Sequence, residues 1–256
     1  MKQLFTDYQE RWFTAIGLLA VIGIIGWIDN FTLMWAFLGV VYMFAFYESM
    51  QLFKIKAPSA YVWAAVIWIC AYFYPNPDDL FFLIAIIFAA SLAYFHNFDK
   101  KLILPFLYPV SAILFFLTLY LDFGIDAMFW LLITVSITDA GAFFIGKMFG
   151  KTKFSDTSPN KTLEGVIGGV FIATVVGTAI GLLIGYYSLT VAFLVTLLTS
   201  LAAIFGDLFE SYLKRVAGVK DSGDLLPGHG GILDRIDGYL FGAVIMILAL
   251  RSLVLL

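Results

Sequence analysis

The chain has 256 residues, 62% of them hydrophobic and only 13% charged, with a mean hydropathy of +0.97. Soluble domains carry about a quarter charged residues, so a soluble globular class is excluded and an all-α integral membrane protein is implied. The net charge of −3 is too small to point to a partner, nucleic acid included, and one cysteine, Cys70, rules out an intramolecular disulfide.

A helix needs about 20 apolar residues to cross the hydrocarbon core, with about 17 as a lower limit. On that measure nine transmembrane helices are expected, over residues 12–28, 31–53, 60–74, 80–95, 102–121, 127–146, 164–185, 189–206 and 238–256. The first reads as a retained span rather than a cleaved signal, because apolar segments recur to the C-terminus. Lys and Arg are retained on the cytoplasmic side during insertion, so their distribution sets orientation. Lys2 and Arg11 precede the first span, Lys54 and Lys56 follow the second, and Lys100 and Lys101 follow the fourth. Lys147, Lys151, Lys153 and Lys161 follow the sixth, and Lys214, Arg215, Lys220 and Arg235 follow the eighth. The alternate connections, around Asp29, Asp78–Asp79, Asp122–Asp126 and Tyr186–Ser188, hold no Lys or Arg, and Arg251 is the exception. The N-terminus is therefore expected in the cytoplasm and the C-terminus outside.

This divides the chain into residues 1–126, about five spans, and residues 127–256, which carry the polar loops 147–163 and 207–237. Both loops are expected on the cytoplasmic face, where they can form one site. No fixed-period repeat or separate soluble domain is visible, so chemistry has to come from these loops and the helix ends beside them.

In "GDLFESYLKR", Asp207 and Ser211 stand four apart on one helical face, with Lys214 and Arg215 one turn further along. A carboxylate and a hydroxyl beside two cations suit a hard metal ion bound to phosphate; a helix end reaching into the headgroups gives the same pattern. In "DSGDLLPGHGGILDRIDG", the glycines permit turns whose backbone N–H groups bind anions. Asp234 and Asp237, at the start of the last helix, suit either a helix cap or a metal. His229 can donate to a phosphate or act as an acid or base, but a lone His is a poor zinc signal. Lys220 and Asp221 read equally well as solvated charges. Asp139, inside an apolar span, and Glu48, near a helix end, are costly there without partners. Ser158, Asn160, Lys161 and Thr162 precede a helix N-terminus and make a reasonable phosphate site, although the order of a Walker A loop is missing. Lys147, Lys151 and Lys153 fit nucleotide contact or a basic rim for anionic lipid.

The stretch "SYLKRVAGVKDSGDLLPGHGGILDRID", Ser211 to Asp237, closely resembles the signature of the phosphatidate cytidylyltransferase family. Ser211, Lys214-Arg215, Lys220-Asp221, Gly223, Leu226-Pro227, His229-Gly230-Gly231, Asp234-Arg235 and Asp237 stand at the family's spacing. Gly206-Asp207, Asp139, Gly146-Lys147, Gly150-Lys151, Ser158-Pro159, Lys161-Thr162 and Glu164-Gly165 also fit. Phe143, Ser155 and Thr157 depart from the pattern, and the match covers roughly the C-terminal half.

The resemblance implies a nine-helix membrane fold and transfer of CMP from CTP to phosphatidic acid, giving CDP-diacylglycerol and pyrophosphate. It also implies Mg²⁺, with a second ion left open, on Asp207 and Asp234 with Ser211 close by. Lys161, Lys214 and Arg215 are placed on phosphates, supported by Lys147, Lys151, Ser158, Thr162, Lys220 and Arg235. Asp221, Asp237 and His229 are further candidates. The expected setting is a bacterial inner membrane with the site facing the cytoplasm; a homodimer is left open. Rival readings are a related enzyme acting on another lipid phosphate or alcohol, and a secondary transporter. A CDP-alcohol phosphotransferase is disfavoured by the absence of its Asp-Gly-x-x-Ala-Arg motif. A transporter would concentrate its polar residues near the midplane rather than on one face.

Overall fold

The structure is a computed structural model that describes residues 16–95, 99–185, 187–226 and 230–254. Lys2, Arg11, Tyr186 and His229 lie outside the described residues. The described chain is helical, with no β-strand among these residues and only isolated bridges, Lys153 with Thr162 and Leu226 with Gly230.

Eight long helices follow one another: α1 Ile16–Ile28, α2 Phe31–Leu52, α3 Pro58–Phe73, α4 Leu80–Tyr94, α5 Ser111–Phe149, α6 Leu163–Ile184, α7 Leu189–Ala217 and α8 Leu233–Val254. Local chemistry sets their ends. Asp29, at a φ of 45°, closes α1, and the side chain of Asn30 opens α2 by accepting from the Leu33 amide at 3.1 Å. Lys54, at a φ of 56°, closes α2, and Pro58 starts α3 where its missing N–H costs nothing. Thr162 caps α6 by accepting from the Gly165 amide at 3.2 Å.

Among the described residues six helical runs are long and apolar enough to cross a membrane: Phe31–Leu52, Pro77–Tyr94, Lys100–Phe149, Leu163–Ile184, Leu189–Ala217 and Leu233–Leu253. Ile16–Ile28 and Pro58–Phe73 are shorter apolar helices. The expected fifth and sixth spans fall in one 50-residue run, Lys100–Phe149, which is broken at Gly124 by a φ of 72°. The helices extend beyond the apolar spans, as the helical spacing in "GDLFESYLKR" implied. Helix α7 continues to Ala217 and α8 begins at Leu233, so Asp207, Ser211, Lys214, Asp234 and Asp237 are all helical residues. An apolar run marks only the part of a helix suited to hydrocarbon, whereas backbone hydrogen bonding carries the helix on into charged sequence.

Contacts divide the described chain into two compact units that do not follow chain order. The first comprises Met1–Leu117 and Ala217–Arg235, and the second Thr118–Val216 and Ile236–Leu256. In the first unit, Tyr42 donates to the Ala64 carbonyl at 2.9 Å and Trp35 to the Trp68 carbonyl at 3.0 Å, joining α2 to α3. In the second, α5 and α6 approach through glycines. A Cβ on Gly169 would lie 2.6 Å from both the Thr138 oxygen and the Ala142 nitrogen, backbone atoms that no rotamer change can move. Small residues that let backbones come this close are a main source of helix association in lipid.

Gly169→Val is expected to destabilise the protein by about 1–3 kcal/mol, seen as a lower midpoint of thermal unfolding in detergent. Gly23→Val, where nothing lies within 4 Å of the added carbon, should leave that midpoint unchanged.

Candidate active site

The segment before α6 is held in place by its own side chains. The Glu164 carboxylate accepts from the Lys151 amide at 3.1 Å, the Thr152 amide at 3.1 Å and the Thr152 hydroxyl at 2.8 Å. The Phe154 amide donates to the Lys161 carbonyl at 2.9 Å, and the Lys161 amide donates to the Ser158 carbonyl at 3.1 Å. These bonds leave the Lys161 ammonium directed at α7, where it forms an ion pair with the Asp207 carboxylate. Both side chains are partly exposed, at 20% and 26%, while the ammonium nitrogen itself is buried against the carboxylate.

On α7, the Ser211 hydroxyl stands 3.4 Å from Asp207 Oδ1, as the four-residue spacing requires. Gly206 lets α7 come close to α8, since a Cβ there would meet the Asp237 carbonyl at 2.5 Å. Asp139 and Asp237 both fall within electrostatic range of Asp207. Three acids and one lysine, drawn from α5, the segment before α6, α7 and α8, are therefore assembled in the second unit.

Lys214 stands differently from its sequence reading. It pairs with Glu210, one turn earlier on α7 and fully buried. The acid-to-cation spacing of four residues was visible in the sequence, but Glu210 was not singled out there. Among the other cations, Arg215, Lys220, Lys147, Lys151 and Arg235 are exposed, and the Lys147 ammonium sits 5.8 Å from the centre of the Phe143 ring. Thr162 acts as the helix cap described above, and Ser158 is half-buried in the same loop.

Asp234 belongs to the first unit. Its Oδ2 accepts from the Ser222 amide at 2.8 Å, the Gly231 amide at 2.8 Å and the Ser222 hydroxyl at 2.9 Å. Ser222, buried and absent from the sequence-derived candidates, owes its importance to a contact that only the fold creates.

Among the described residues, no three His, Cys, Asp or Glu side chains form a ready-made cation cage. Mg²⁺ does not require one, because it keeps several waters and is held by one or two carboxylates together with substrate phosphates. Asp207 and Ser211 offer the hard oxygen donors such an ion takes, beside a lysine able to meet phosphate, so the donor set fits.

Apolar helices of membrane-crossing length define a multi-pass membrane protein, and its second unit brings Asp139, Asp207, Asp237 and Lys161 near one another. The chain belongs to the cytidylyltransferase family, whose model matches residues 9–253. It is similar to the phosphatidate cytidylyltransferase of Helicobacter pylori strain J99, with 44% identity over 245 residues, 95% of this chain and 92% of that one. The Bacillus subtilis phosphatidate cytidylyltransferase is 45% identical over 125 residues, 47% of this chain and 45% of that one. That of a Synechocystis species is 50% identical over 107 residues, covering 41% and 36%.

If Lys214 is needed mainly to neutralise buried Glu210, Lys214→Met should destabilise the protein by about 3–5 kcal/mol, and Glu210→Gln/Lys214→Met should recover much of that loss. Thermal unfolding of the two variants measures both. A Lys214→Met protein of wild-type stability with a raised KM for CTP would instead assign Lys214 to phosphate.

Proposed function

We propose that this chain is a phosphatidate cytidylyltransferase, forming CDP-diacylglycerol and pyrophosphate from CTP and phosphatidic acid. The observation that carries this reading is the Lys161–Asp207 pair: a cation on a phosphate-suited loop, paired to a hard-metal ligand, in a chain whose family transfers cytidylyl groups. A phosphate oxygen of the lipid attacks the α-phosphorus of CTP in line and pyrophosphate leaves, so no protein nucleophile is needed. The protein's work is positioning and charge neutralisation.

Lys161 and Asp207 neutralise each other as an ion pair. Asp207 with Ser211 would hold Mg²⁺, and Lys161 would meet the triphosphate. Asp234 is the other carboxylate assigned to metal, and its amide and hydroxyl donors orient it. When bound, Mg²⁺ supplies Lewis-acid neutralisation of the phosphate oxygens. Lys161, on a loop braced by Glu164, is assigned to charge that grows in the transition state. The reading extends to nine spans, with the loops around Lys153 and Asp224 facing the cytoplasm of a bacterial inner membrane. The Lys and Arg distribution supports this, as does the break at Gly124 that divides the 50-residue helical run.

Protein purified in detergent should convert CTP and phosphatidic acid to CDP-diacylglycerol and pyrophosphate in equal amounts, and only with Mg²⁺. Lys161→Ala should lower kcat and kcat/KM together by about 100-fold, with Lys161→Arg restoring part because a planar fork replaces a flexible point charge. An unchanged kcat in Lys161→Ala would remove it from the transition state, and turnover of a different lipid phosphate in place of phosphatidic acid would change the substrate.

For topology, Lys153→Cys and Asp224→Cys are placed singly in a Cys70→Ser background. Both should resist an impermeant thiol reagent in intact cells and react after lysis; labelling of intact cells would invert the orientation.

A further inference from the structure

Glu48 lies on α2, outside the stretch that carries the family signature, and its side chain is 0% exposed. A carboxylate taken from water is tolerated only when donors replace the lost hydration. Here Oε1 accepts from the Ile232 amide at 2.8 Å, and Oε2 accepts from the Leu233 amide and the Ser222 hydroxyl, each at 2.8 Å. The two amides belong to the start of α8, which has no preceding turn to satisfy them. A residue 184 and 185 positions away in the chain therefore caps that helix. The glycines around it leave room for nothing larger: a Cβ on Gly223 would lie 2.8 Å from Glu48 Oε1, and one on Gly231 only 2.2 Å from the Ser222 hydroxyl.

The Ser222 hydroxyl links two acids. It stands 2.8 Å from Glu48 Oε2 and 2.9 Å from Asp234 Oδ2. A hydroxyl has one proton, so it donates to one carboxylate at a time, and whatever moves Glu48 changes what Asp234 receives. We infer that Glu48 is a positioning residue for the reaction: it fixes Ser222 and the first turn of α8, and through them the carboxylate of Asp234. This rests on the proposed cytidylyl transfer and on the place of Asp234 in it. A carboxylate is the group required, because two acceptor oxygens face three donors. A glutamine would turn an NH₂ towards a backbone N–H or the serine.

The test compares wild type with Glu48→Gln, Glu48→Asp, Ser222→Ala and the double variant Glu48→Gln/Ser222→Ala in detergent. Hydrogen exchange is followed without substrate in peptides covering Ser222 and Ile232–Asp234, and steady-state kinetics are measured with CTP varied. Glu48→Gln should exchange faster in those peptides while peptides of 147–163 keep wild-type rates. Its kcat should fall about 10- to 100-fold, the range for partners that orient a metal ligand, with little change in KM for CTP. Glu48→Asp should restore part of the loss. The double variant should be little worse than Glu48→Gln alone, since both changes cut one network.

Wild-type exchange in Glu48→Gln would overturn the positioning role. So would faster exchange with unchanged kcat, which describes a helix cap and nothing more, and so would losses that simply multiply in the double variant. If Glu48→Gln does not fold, Ser222→Ala, which removes a single oxygen, decides by the same two readouts. Exchange needs no substrate, so the two ideas fail separately: a wild-type protein without cytidylyl transfer defeats the reaction, and unchanged exchange in the variants defeats the positioning.

Discussion

An acid placed among apolar helices has to be met by donors, because the surroundings supply none. Three acids are met in this way here. Glu210 takes a lysine one turn along its own helix, Asp207 takes a lysine from the loop before α6, and Glu48 takes backbone amides and a hydroxyl. Backbone amides without helical partners are offered at the start of a helix and in the turn before it, as Leu233, Ile232 and Ser222 show. The lysines come from the last turns of α7 and from the loop before α6. The donors thus lie at the margins of the apolar helices, and the acids that persist are those such donors can reach.

Much of this was legible in the sequence, and what was missed has physical causes. The apolar stretches are found as helices, and Gly124, where one helical run is broken, lies between the expected fifth and sixth spans. The spacing of Asp207 and Ser211 placed them together, as found. The apolar spans 189–206 and 238–256 are shorter than α7 and α8, which continue by backbone hydrogen bonding into charged sequence, as the helical spacing of Asp207 with Ser211 and the place of Asp234 before the last span had implied. The Glu48–Leu233 contact had no local signal, since a capping carboxylate usually lies within a few residues of the helix it caps. Segment 217–235, assigned by chain order to the C-terminal half, packs with the N-terminal unit instead.

Together, the family match and the structure widen what the sequence resemblance covered. The signature occupies the C-terminal half, yet the similarity to the Helicobacter protein runs over 95% of this chain. Helices α1 to α4 thus lie within the matched region, and one of them supplies the carboxylate that holds the start of α8. Signature residues also differ in what they do: Lys161 and Asp207 face each other as charges, while Gly231 and Ser222 shape and hold a turn.

Some of the buried threonines show how a polar side chain enters an apolar interior without needing a partner on another helix. Thr138 and Thr196 donate to the carbonyls four residues earlier on their own helices, both at 2.7 Å, and Thr178 does the same. The Ser200 hydroxyl stands 2.8 Å from Thr138. Each of these threonines spends its proton inside the helix that carries it, so at Thr178 and Thr196 the place in the sequence is set by helix geometry alone and a valine of the same shape would fit there without leaving a partner unmet.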